Sequence, residues 1–165
     1  MKLTSAPRVV MADLPDLHAY LRRRLEWAFE RGKVDFKMIR SIVSSPNLTS
    51  MYVRAFSHPC LCVAGETYLD ARTMLADRGQ RTYALSLTSW KQLADSVEVV
   101  DEYLFTDHSI MRLQVWPFDP RVLDDFQMAV AVALSFTPGE LMADSRISLA
   151  IDEIVREWGY FADEF

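Results

Sequence analysis

Apolar residues recur along the chain with three different rhythms. Leu14, Leu17, Leu21, Leu25, Ala28 and Phe29 return at helical spacing behind Asp13 and Pro15, and Gly32 stands where such a helix would end. A second helix is predicted from Asp35 to about Val43, with Phe36, Ile39, Ile42 and Val43 on one side. Ser44-Ser45-Pro46-Asn47 breaks it. Residues 47–56 admit two readings, a helix capped by Asn47 or a strand around Met51-Tyr52-Val53.

In the middle the rhythm shortens. Pro59 to Ala64 is a short apolar run that predicts a buried strand. Gly65-Glu66-Thr67 opens a helix through about Arg78, with Leu69, Ala71, Thr73, Met74 and Leu75 toward its packed side. Tyr83 to Leu87 predicts another strand, so residues 60–87 form a candidate β-α-β unit, right-handed if its strands are parallel. Ser89 can cap a short helix from Trp90 to Ala94, and Val97–Phe105 with Ile110–Trp116 predicts an antiparallel hairpin.

The last third is helical again. A helix is predicted from Asp119-Pro120 to about Phe136, apolar nearly all round in its second half. Thr137-Pro138-Gly139-Glu140 has the spacing of a capping box. The final helix, restarting near Asp144, should bury Ile147, Ala150, Ile151, Ile154, Val155 and Trp158. The predicted class is α+β (or α/β). The expected architecture is one compact domain over 1–165, with a helical N-terminal layer, a small mixed sheet and a helical C-terminal layer. Residues 12–56 form a candidate helical subregion.

Composition narrows the class further. The chain has 165 residues, half of them apolar and a quarter charged, which excludes a mostly disordered polymer. Its longest apolar stretch, Met128–Leu134, falls far short of the roughly 20 residues a membrane-spanning helix needs. No signal-peptide core is recognisable, and two cysteines, Cys60 and Cys62, cannot build a disulfide framework. The expectation is a soluble, cytoplasmic chain with no membrane association.

Charge is uneven: residues 1–54 sum to +5 and residues 55–165 to −10. The basic part can pack on the acidic remainder, face solvent, or meet an anionic partner. Arg22, Arg23 and Arg24 spread over roughly 200° of a helix, so they cannot all be buried. If residues 47–56 were helical, they and Asp35–Val43 would make a helix-turn-helix, with Lys33, Lys37, Arg40 and Arg54 toward nucleic acid. That second helix would carry a single base, whereas base readers bring several donors.

Candidate chemistry is sparse. His58, Cys60 and Cys62 would share one face of an extended segment, and His108 could add a fourth soft ligand. The spacing matches zinc sites poorly, and buried cysteine needs no ligand. No metal or cofactor is therefore expected. Glu66, Asp70 and Arg72 sit where a helix leaves a strand, but acids there also suit the helix dipole. No Gly-rich phosphate loop, nucleophile elbow or HExxH motif occurs. The tail places Trp158, Tyr160, Phe161 and Phe165 among acids; such rings can dock back on the chain's own surface or serve as interface anchors. The first expectation is a non-enzymatic interaction protein (an inhibitor, antitoxin-like regulator or dedicated chaperone) with a protein partner or as a homodimer. Arg22, Arg23, Arg24 and the tail rings would contact the partner. A nucleic-acid-binding regulator and a small enzyme or metal site around His58, Cys60 and Cys62 are the alternatives.

Overall fold

Of the two conformations open to residues 47–56, the chain takes the strand. The computed structural model describes Glu26, residues 30–32, 49–73, 81–101, 108–136 and 138–160, with Pro138, Leu141 and the last six by backbone alone. The chain divides into two units, Asn47–Leu123 and a second made of Met1–Pro46 with Asp124–Phe165. The class is α+β.

The first unit is built on a mixed four-stranded sheet in the order β1-β4-β3-β2. Its strands are β1 (Thr49–Arg54), β2 (Cys62–Val63), β3 (Thr82–Ser86) and β4 (Ile110–Trp116). Two helices interrupt them, α1 (Gly65–Arg72) and α2 (Leu87–Leu93). β4 is the central element: it pairs antiparallel with β1, Met51 opposite Leu113, and parallel with β3, Leu85 opposite Val115. Alternation then sends Met111, Leu113 and Val115 to one face, where they join Val53, Leu85 and Cys60 in a buried cluster. Trp90 and Leu93 of α2 pack on that cluster. Fully buried Val53, Leu85 and Leu113 each contribute about 1.5–3 kcal/mol by leaving water.

The strand pairing corrects two expectations. β2 and β3 flank α1 but run antiparallel, Cys62 opposite Ala84, so residues 60–87 are not a parallel β-α-β unit. The parallel pair comes one element later, with α2 lying between β3 and β4. The predicted hairpin also resolves differently. Ile110–Trp116 is a strand, but its antiparallel neighbour is β1, in register from Thr49–Val115 to Arg54–Ile110. Val99 instead bridges Val53 on β1, and the amide of Val100 donates to the carbonyl of Tyr52 at 2.8 Å. Residues 102–107 of the expected first arm lie outside the described residues.

A tight junction joins β2, α1 and β3. Gly65 turns with φ 54°, and a Cβ there would stand 2.9 Å from Cγ2 of Thr82, so only glycine suits the position. The Thr82 carbonyl accepts from Ala64 N–H at 3.0 Å, and Thr82 N–H donates to Oγ1 of Thr67 at 2.8 Å. All these groups are buried. α1 buries Tyr68 and Leu69 and ends at Arg72; the rest of its predicted course, with Met74 and Leu75, lies outside the described residues. The backbone turns extended at Thr73, whose amide and hydroxyl both donate to the Leu69 carbonyl, at 2.8 and 2.7 Å. Ala71, expected on the packed side, is exposed.

Capping also shifts α2 and divides the helix predicted from Asp119. Ser86, not Ser89, caps α2, its Oγ accepting from Ser89 N–H at 3.0 Å. After β4, Asp119 caps a single 3₁₀ turn, Pro120–Val122, and Leu123 is extended. The second unit's described helices then begin. In α3 (Asp125–Ser135), Asp124 accepts from Gln127 N–H at 2.7 Å and Gln127 Oε1 accepts from Asp124 N–H at 3.1 Å, a complete capping box. Ala129 to Ala133 are buried without interruption, as the all-round apolar pattern implied.

α4 (Pro138–Ala143) starts at the proline, as expected; its predicted cap, Thr137, lies outside the described residues. α5 (Ser145–Tyr160) follows Asp144, whose carboxylate accepts from Arg146 N–H at 3.0 Å. Ile147, Ala150, Ile151 and Ile154 are buried, in agreement with the helical period. Near the N-terminus, Glu30 is helical and Gly32 turns at φ 66°, so the glycine stands where the first helix was expected to end. Among the described residues no helix is long and apolar enough to cross a membrane.

Candidate functional site

The polar groups with most chemical potential gather at the carboxyl ends of the parallel strands β3 and β4. Ligands commonly bind at that end of an α/β sheet. Three segments meet there: the turn before β2, the start of α2, and the 3₁₀ turn after β4. They bring Cys60, Cys62, Ser86, Ser89, Asp119 and Arg121 within electrostatic reach.

The turn before β2 decides how His58 and Cys60 are used. The His58 carbonyl accepts from Leu61 N–H at 3.1 Å, and ring atom Nδ1 accepts from Cys60 N–H at 3.1 Å. One imidazole nitrogen is thus spent on holding the turn. Cys60 is driven into the sheet core beside Val53 and Leu85. Burial pushes the Cys60 thiol up; the Arg121 charge and a hydrogen bond from Ser89 pull the other way without reversing it. Burial also pushes Cys62 up, reinforced by the Asp119 carboxylate. Burial therefore biases both thiols further toward the protonated form than an ordinary cysteine, which lowers their thiolate fraction.

Arg121 is itself paired with Asp119. Its Nε lies 3.1 Å from both carboxylate oxygens and its Nη2 lies 2.8 Å from Oδ2. Asp119 also accepts from Arg121 N–H at 2.9 Å. The guanidinium hydrogen bonds hold the Asp119 carboxyl below the usual carboxylate range. Ser86 and Ser89 are likewise satisfied, the Ser86 hydroxyl donating to Ser89 Oγ at 3.1 Å.

The metal candidates do not assemble. Among the described residues no group of three or more His, Cys, Asp or Glu side chains is placed to hold an ion. His108 sits in the exposed turn before β4. Of the acid–base candidates, Glu66 lies in the first turn of α1, and Arg72 stacks over the Tyr68 ring at 3.9 Å.

The helix-turn-helix is excluded by geometry, since its second helix is β1. Arg54, its one base, is exposed at the end of that strand and engaged by Glu98 at 3.3 Å and Ser109 Oγ at 3.3 Å. Lys33, Lys37 and Arg40 lie outside the described residues, as do Arg22, Arg23, Arg24, Phe161 and Phe165. Trp158 and Tyr160 fall on the backbone of α5, with side chains outside the description.

Sequence reasoning missed Asp119, Arg121, Ser86 and Ser89 as neighbours of the cysteines. Only the local part was readable, an Asp two residues before an Arg and a Ser three residues before a Ser. It also missed a set of large apolar side chains facing water. Met142 is 88% exposed, Val122 75%, Leu149 61%, Val99 52% and Leu87 45%. Comparison of the chain with protein-family models, curated proteins and solved structures finds no match.

Proposed function

We propose that this chain acts by binding another protein, as an inhibitor, antitoxin-like regulator or dedicated chaperone in the cytoplasm. The observation that carries the reading is the exposure of two large apolar side chains, Met142 on α4 and Leu149 on α5. In α5, Ile147, Ala150 and Ile151 are buried around a Leu149 that faces water. Large exposed apolar side chains are the raw material of interface anchors. The polar cluster at β3 and β4 is compatible with the same reading, because Cys60 is buried in the sheet core and Arg121 is paired with Asp119. Both cysteines are unbridged, which suits a reducing compartment. A homodimer is one form the partner can take.

The test is a tagged pull-down at low salt, with wild-type chain and the double variant Met142→Glu/Leu149→Glu run side by side. The eluates are analysed for protein and nucleic acid, and the chain's own mass by light scattering. The expected result is a stoichiometric protein partner, or a dimer, lost in the double variant while its circular dichroism is unchanged. Nucleic acid that leaves as salt rises would overturn the reading in favour of a nucleic-acid regulator. A partner retained undiminished by the double variant would remove these two residues from the interface.

A further inference from the structure

We draw no further inference here: the strongest candidate, the buried Gln114 amide on the face of the sheet opposite α2, carries nothing because its oxygen is taken by the Trp116 ring N–H and nothing in the structure shows what lies against its nitrogen.

Discussion

The sheet unit and the C-terminal helices fix their shapes by different means. In the sheet, boundaries are set by partners far away in sequence: β1 is a strand because β4, some 60 residues later, accepts it. In α3 and α5 the starts are set within three residues, by Asp124 with Gln127 and by Asp144 with Arg146. Buried polar contacts follow the same division. The sheet depends on the Thr67–Thr82 bond across 15 residues, whereas α3 depends on exposed local caps. Damage to the sheet junction should therefore cost more than damage to a helix cap.

The largest expected effect is at Gly65. Gly65→Ala forces a side chain into left-handed backbone, at about 1–2 kcal/mol, and against Thr82, where overpacking costs about 1–3 kcal/mol more. Urea unfolding should show the midpoint falling accordingly. A variant as stable as wild type would mean the junction is not under this constraint. Next comes Thr67→Val, which keeps the shape but leaves the buried Thr82 N–H without its acceptor. About 1–3 kcal/mol should be lost. By contrast, Asp124→Ala removes one exposed cap, at about 1 kcal/mol. If the cap variant proved the more damaging of these, the contrast between the two regions would fail.

The smallest effect is in the thiols, and it sharpens the account of the polar cluster. Their folded pKa values lie above the ordinary thiol value. As pH rises through that ordinary value, the unfolded chain loses protons that the folded chain keeps. Stability is therefore full at neutral pH and declines as pH climbs through the thiol range. Native Cys60 and Cys62 should also react slowly with a disulfide reagent at neutral pH and quickly once the chain is unfolded. A thiol reacting fast in the folded protein would revive the enzyme reading.

The same division explains what the sequence made legible. Helical faces and glycine stops were readable because their causes are local: Gly32 turns where expected, and Ile147, Ala150, Ile151 and Ile154 are buried at the predicted spacing. Strand segments were found at Tyr83 and Ile110, but the first pairs with β2 antiparallel and not parallel, and the second takes β1 as its antiparallel neighbour, since apolar alternation states a face and not a neighbour. The end of α1 was missed because the backbone turns extended at Thr73, a local change that hydrophobic periodicity does not register. In the candidate site, burial of Cys60 was foreseeable from its apolar surroundings. The approach of Asp119 and Arg121 was not, because it depends on β3 lying beside β4.

The central claim is that the chain works through apolar contact with another protein. The most direct test places a photo-reactive amino acid at Leu149, and at exposed Asp95 as the control, then irradiates the full-length chain in its host cell. The account predicts one defined adduct of higher mass from Leu149 and none of that mass from Asp95. No adduct at Leu149, or the same adducts from both positions, would contradict it.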